Sequence, residues 1–136
     1  MKWNNQLIEQ LQWSNTIINR AGKERVAKEV ADMAKNGDII GAGSGSTVYL
    51  TLFALAERIR KEALHIEIIP ASNEISMTCI QLNIPQTTLW NKPPDWTFDG
   101  ADEVDPQHNL IKGRGGAMFK EKLQIKSSDK SYIIID

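Results

Sequence analysis

Residues 38 to 47, reading DIIGAGSGST, restrict the possible folds more than any other stretch of the chain. Asp38 to Ala42 is an apolar run of strand length, and Gly43, Ser44, Gly45, Ser46 and Thr47 form a turn too rich in glycine to extend it. The apolar residues then change period, with Val48, Leu52, Leu55 and Ile59 recurring at the spacing of one helix face. A buried strand that runs through a tight turn into a helix is the building unit of α/β proteins. Such a turn is also an anion cradle, because glycines let the backbone come close and N–H groups at the helix start point outward. Ser44, Gly45, Ser46 and Thr47 are therefore candidate anion-binding residues, with plain N-capping by Ser44 or Ser46 as the alternative. Ser46 stands where the third glycine of a dinucleotide fingerprint would fall, and the Lys-Ser/Thr pair of a triphosphate loop is absent.

The same alternation runs through the rest of the chain. A helix of roughly Gly22 to Asn36 is patterned by Val26, Val30 and Met33 and stopped by Asn36-Gly37. His65 to Ile69 reads as a second strand, Ser72 to Leu82 as a helix, Thr87 to Trp90 as a short strand and Asn91 to Pro94 as a loop. Another strand covers the aromatic and β-branched run DWTF, and Ser131 to Asp136 begins a last one after a polar turn from Lys126 to Lys130. The expected fold is α/β: a Rossmann-like, mostly parallel sheet flanked by helices in three layers. Residues 1–20 carry Trp3, Leu7, Ile8, Leu11, Trp13, Ile17 and Ile18 at amphipathic spacing and read as an N-terminal helical extension, leaving 21–136 as one domain.

The second informative stretch is Phe98 to Lys122, FDGADEVDPQHNLIKGRGGAMFKEK. Asp99-Gly100 falls where a strand runs out into a loop, the end of an open α/β sheet at which ligands are usually held. Pro106 and Asn109 mark a turn, Leu110-Ile111 a brief apolar return, and Gly113 to Gly116 a second turn feeding a helix that starts near Ala117. Glu121 then lies in the first turns of that helix, where the dipole favours the ionised carboxylate that a general base needs. Its neighbours at helical spacing, Ala117, Met118, Gln124 and Ile125, offer it no opposite charge. Backbone N–H groups of the Gly-rich turn, with Lys112, can hold developing negative charge. A carboxylate base beside an oxyanion site suits proton abstraction next to a carbonyl, and a solvated helix glutamate is the plainer alternative.

Composition excludes other classes. With 41% hydrophobic and 24% charged residues, a net charge of −1 and no Lys/Arg cluster, no nucleic-acid surface is expected. No apolar run reaches membrane-spanning length and MKWNNQLIEQ lacks a signal-peptide core, so no membrane association and a cytoplasmic location are expected. The single cysteine, Cys79, reads as an inert core thiol. His65 and His108 stand apart without ligand spacing, and Asp99, Asp102, Glu103 and Asp105 do not follow the calcium-loop order, so no metal is implied.

The strings GAGSGSTV, FDGADEVDP and LIKGRGGAMFKEK, in that order, resemble type A ribose-5-phosphate isomerase. Lys112 follows Asp99 by thirteen positions and Glu121 follows Lys112 by nine, as in that family, and the resemblance runs from about Lys23 to Asp136. It implies an enzyme of the non-oxidative pentose phosphate pathway that interconverts ribose 5-phosphate and ribulose 5-phosphate through a cis-enediolate. Residues 21–136 are then its sugar-phosphate isomerase catalytic domain. Glu121 would be the base, Lys112 and the GRGG amides the enediolate stabilisers, and Asp99 and Asp102 the holders of sugar hydroxyls. Lys23, the turn Ser44 to Thr47, the loop Asp99, Gly100, Ala101 and Asp102, and Lys112, Gly113, Arg114 and Gly115 would bind substrate. A solvated helix lysine remains the alternative at Lys23. The resemblance implies no cofactor, and a small sugar phosphate and copies of the same chain, in a homodimer or higher homo-oligomer, as partners.

The sequence departs from the family in Ser44 for the usual Thr and in Arg114 for the usual Gly. The family also continues with a lysine three residues beyond the position of Asp136 and a smaller α/β portion. An incomplete catalytic domain is therefore expected, with a non-catalytic sugar-phosphate binding module as the second reading. Amino-sugar phosphate isomerases and coenzyme A transferases fit the DGADE and KGRGG pair less well.

Overall fold

A computed structural model describes residues 12–13 and 16–136. The expected helices of the N-terminal extension fall mostly outside the described residues, and residues 16–19 form coil and turn. In chain order the elements are α1 (Arg20–Met33), β1 (Ile39–Ala42), α2 (Ser46–Glu62), β2 (Glu67–Pro70), α3 (Asn73–Gln81), β3 (Trp96–Gly100), β4 (Glu103–Val104), β5 (Leu110–Ile111), α4 (Met118–Lys126) and β6 (Ser131–Ile134). Four strands form a parallel sheet in the order β2-β1-β3-β6, and β4 and β5 pair as a small antiparallel ribbon beyond its end.

Strand alternation decides what each side of the sheet meets. Ile40, Ala42, Ile68, Trp96 and Phe98 belong to an apolar cluster with Val30 and Ala31 of α1, Val48, Leu52 and Leu55 of α2, and Ile75 and Cys79 of α3. Burying each large aliphatic side chain there stabilises the fold by about 1.5–3 kcal/mol. The residues between them in β3, Thr97 and Asp99, face the other side, where α4 packs on β1 and β3. Its Gln124 is buried and donates to the Ile69 carbonyl at 2.8 Å. Helices therefore cover both faces, giving the expected three-layer α/β arrangement.

Two polar contacts fasten the first layer. Arg58 of α2 donates to the Ala31 and Ala34 carbonyls at 2.6 and 3.0 Å, satisfying the C-terminal end of α1. Ser72 caps α3 by accepting from the Ile75 N–H at 3.2 Å. Neither Ser44 nor Ser46 caps α2, whose N-cap is Gly45 with no side-chain bond.

The expected strand from Thr87 to Trp90 does not form. A single parallel bridge joins Gln86 to Ile68, with the Thr87 N–H donating to the Ile68 carbonyl at 3.0 Å. The chain then turns, because the Asn91 and Lys92 N–H groups both go to the Thr88 carbonyl. The Thr88 carbonyl, taken up by this turn, is unavailable to a longer ladder. Trp90 is consequently 91% exposed.

Among the described residues no helix is long and apolar enough to cross a membrane. Cys79 is buried with no exposed surface, and burial pushes its thiol up to about 12. Alkylation by iodoacetamide at pH 8 is expected to run roughly 10³-fold slower in the folded protein than in urea. Mass-spectrometric labelling rates check this, and equal rates would show that Cys79 lies outside a formed core.

Candidate active site

From β1 the chain passes through α2 to β2 on one side, and from β3 it passes through the ribbon and α4 to β6 on the other. The loops leaving the carboxyl ends of β1 and β3 thus diverge, opening a crevice at the switch in strand order. A cleft of about 470 Å³ lies there. Lys23, Ser44 to Thr47, Asp99 to Asp102, Lys112 to Gly115 and Glu121 all line it. Every candidate site residue of the sequence is therefore gathered at one place. The cleft is also lined by Trp13, Thr16 to Ile18, Ile134 and Asp136, none of which the sequence assigned to the site.

The centre of the cleft is a group of charges held by three elements. Asp99 is the penultimate residue of β3 and is 3% exposed. Its Oδ1 accepts from the Ser44 and Gly100 N–H groups at 3.1 and 2.8 Å, and its Oδ2 accepts from Lys112 Nζ at 2.7 Å. Glu121, one turn before Gln124 on the same face of α4, is 4% exposed. Its Oε1 accepts from the Ser44 hydroxyl at 2.5 Å. Its Oε2 lies 3.4 Å from Lys112 Nζ and is buried with no hydrogen-bond partner among the described residues. Lys112 also donates to the Gly100 carbonyl at 2.5 Å. One ammonium therefore serves two buried carboxylates. Burial pushes the Asp99 carboxyl above its ordinary range and the Glu121 charge adds to this, while Lys112 and the Ser44 N–H pull the other way.

Glycine makes this proximity possible. A Cβ at Gly43 would fall 2.0 Å from Asp99 Oδ1, so only a residue without a side chain lets β1 lie against this carboxylate. Gly45 takes φ 92 at the start of α2, a backbone conformation other residues rarely adopt. The signal was present in the alternate glycines 41, 43 and 45, since glycine within a strand marks a close approach. Nothing in linear spacing could have revealed the Ser44–Glu121 bond, which joins residues 77 positions apart.

The outer part of the cleft is more exposed. The β4–β5 ribbon carries Lys112 back to the sheet, and Asp102 Oδ2 accepts from the Arg114 N–H at 3.1 Å, tying the ribbon's two ends. Lys23 Nζ donates to the Ile18 carbonyl at 2.9 Å and lies 3.9 Å from Asp136 Oδ1. Among the described residues no group of three or more His, Cys, Asp or Glu side chains is placed to hold a metal ion.

A parallel α/β fold with a glycine-rich turn and a lysine-linked carboxylate pair at its switch point belongs to the class of α/β proteins that hold small ligands beyond the carboxyl ends of their strands. The comparisons identify the family within that class. The family model for ribose 5-phosphate isomerase A (phosphoriboisomerase A) matches residues 67–136. Ribose-5-phosphate isomerase A 1 of Oceanobacillus iheyensis is 44% identical over 115 residues, which are 84% of this chain and 51% of that protein. The solved ribose 5-phosphate isomerase A of Methanocaldococcus jannaschii superposes with a TM-score of 0.83 at 39% identity, covering 87% of this chain and 53% of that one. A D-ribose-5-phosphate isomerase solved in complex with phospho-erythronic acid gives 0.82 at 33% identity, covering 86% and 52%. The chain belongs to the ribose 5-phosphate isomerase A family and spans about half the length of the relatives it matches.

Replacing Lys112 with Met leaves two buried carboxylates without a counter-charge and is expected to cost about 3 kcal/mol at pH 7. Burial already raises the folded-state pKa of Asp99, and losing the lysine raises it further. The neutral carboxyl is thus the form that folding favours. The deficit is therefore full above the folded pKa and shrinks as pH falls towards the unfolded carboxylate value of about 3.9. Urea midpoints of Lys112→Met and wild type between pH 7 and 4 measure it, and a constant gap would contradict the charge argument.

Proposed function

We propose that this chain interconverts D-ribose 5-phosphate and D-ribulose 5-phosphate, with Glu121 as the base and the cleft at the switch point as the site. The observation that carries the reading is Glu121 Oε2, a buried carboxylate oxygen with no hydrogen-bond partner among the described residues, 3.4 Å from a lysine ammonium. A carboxylate in that condition has a lone pair free for a substrate proton and a fixed positive charge beside the reacting atoms. Family membership supports the reaction type, and the cleft volume suits a small ligand.

In the open-chain aldose, Glu121 takes the proton from C2. The C2–H electron pair becomes the C1–C2 double bond, and the carbonyl pair moves onto O1. Lys112 and the N–H groups of the turn Gly113 to Gly116 stabilise that oxyanion. Glu121 returns its proton to C1, the O2 proton passes to O1, and the carbonyl forms at C2. No electrons leave the substrate, so the step needs no redox partner. Asp99, besides holding Lys112, acts with Asp102 to hold the sugar hydroxyls and assist ring opening, and Gly100 and Ala101 complete the loop against the substrate. Gly45, Ser46 and Thr47 at the start of α2, with Lys23, take the phosphate, where the helix dipole and N–H groups favour an anion. Arg114 lines the same cleft.

Glu121→Gln keeps the shape and removes the base. It is expected to lower ribulose 5-phosphate formation by at least about 10³-fold while changing the Kd for ribose 5-phosphate by less than about threefold. A coupled assay for the ketose and loss of the C2 proton signal in deuterated water give the rate, and calorimetry the affinity. Wild-type protein that binds ribose 5-phosphate without forming ketose or exchanging C2 hydrogen would instead be a sugar-phosphate binding module.

A further inference from the structure

The sequence groups Ser44 with the anion-binding turn, but its two donors point elsewhere. Its N–H goes to Asp99 Oδ1 and its hydroxyl to Glu121 Oε1. Ser44 is the first residue of the turn after Gly43, where the backbone lies against Asp99. It therefore joins the end of β1 to carboxylates from β3 and α4. Ser46 and Thr47, the other hydroxyl residues of the turn, have no such tie to the carboxylate pair and stand at the start of α2.

The consequence lies in which oxygen of Glu121 stays free. A glutamate side chain with three rotatable bonds and no local partner would sample several rotamers, and both oxygens would compete for Lys112. With Oε1 bound to Ser44, the carboxylate is oriented and Oε2 is left towards Lys112 without a hydrogen bond. We propose that Ser44 is a positioning residue for the proton transfer rather than a phosphate ligand: its hydroxyl anchors one oxygen of Glu121 so that the other meets the substrate carbon. This inference rests on the isomerase reading above. It differs from that reading in separating the first residue of the turn from the phosphate subsite at Gly45 to Thr47.

The physical scale follows from geometry. A base displaced by about 1 Å from its attack position can lose on the order of 10²-fold in rate, whereas a ligand to the phosphate acts on affinity. A methyl group added to the serine keeps the hydroxyl, so threonine is the conservative replacement and alanine the disruptive one.

The test compares Ser44→Ala and Ser44→Thr with wild type, reading kcat, KM and C2 hydrogen exchange with ribose 5-phosphate. Ser44→Ala is expected to lower kcat and exchange by about 10- to 100-fold with KM within about threefold, and Ser44→Thr to restore most of the rate. A Ser44→Ala enzyme with kcat retained and KM raised tenfold or more would make Ser44 a phosphate ligand and overturn the proposal. A second measurement is independent of turnover. Urea midpoints of Ser44→Ala, Glu121→Gln and the double variant form a cycle in which the double variant should shift by clearly less than the two single shifts together. Additive shifts would overturn the Ser44–Glu121 link even in a fully active enzyme. Coupled shifts in a wild type that lacks exchange would uphold the link and place the failure in the isomerase reading.

Discussion

Two carboxylates cannot be buried side by side as ions unless something positive lies between them, and Lys112 is that group. It stands 2.7 Å from Asp99 and 3.4 Å from Glu121, each less than 5% exposed. Without it, the largest offset to the burial and the Glu121 charge, which both push the Asp99 carboxyl upward, would be lost. The elements that carry the three charges are consequently tied together: the end of β3, the loop after β5, and the first turn of α4. Much of the cleft's shape is a consequence of satisfying that one ammonium.

The sheet supplies the place for this arrangement. Because β1 and β3 are neighbours while their connections leave in opposite directions, neither α2 nor α4 covers the gap between their carboxyl ends. The two helices lie on opposite faces, so their N-terminal ends approach the gap from both sides. α2 brings its glycine turn and α4 brings Glu121. The apolar cluster of α1, α2 and α3 lies on the face away from α4, so packing on that side and chemistry on the other are largely separate demands on the sequence. That division explains how β3 can alternate Trp96 and Phe98 with Thr97 and Asp99 and leave neither set misplaced.

The places where sequence and structure differ are instructive. Helix and strand limits shifted by up to three residues, as for α1, which runs from Arg20 to Met33 against an expected Gly22 to Asn36. The run from Thr87 to Trp90 has strand-like residues but forms no strand: the one ladder bridge is at Gln86, and the chain then turns through bonds from Asn91 and Lys92 to the Thr88 carbonyl. Glu121 lacked any partner at helical spacing, and its partners come instead from the loop after β5 and the turn after β1.

From the chain alone one could read the α/β alternation and most of its elements, and the glycine turn at 43 to 47, the helix-start glutamate at 121 and the lysine at 112 as chemically suited to one site. Those signals are local: they depend on period, on missing side chains and on position within a helix, all of which are written in neighbouring residues. Tertiary structure decided that Lys112 lies between Asp99 and Glu121, that Gly43 gives way to a carboxylate, and that the Ser44 hydroxyl turns to Glu121 rather than outward. Such contacts join residues up to 77 positions apart. They follow from which strands become neighbours and which way their connections leave, and that depends on burying the whole apolar face at once.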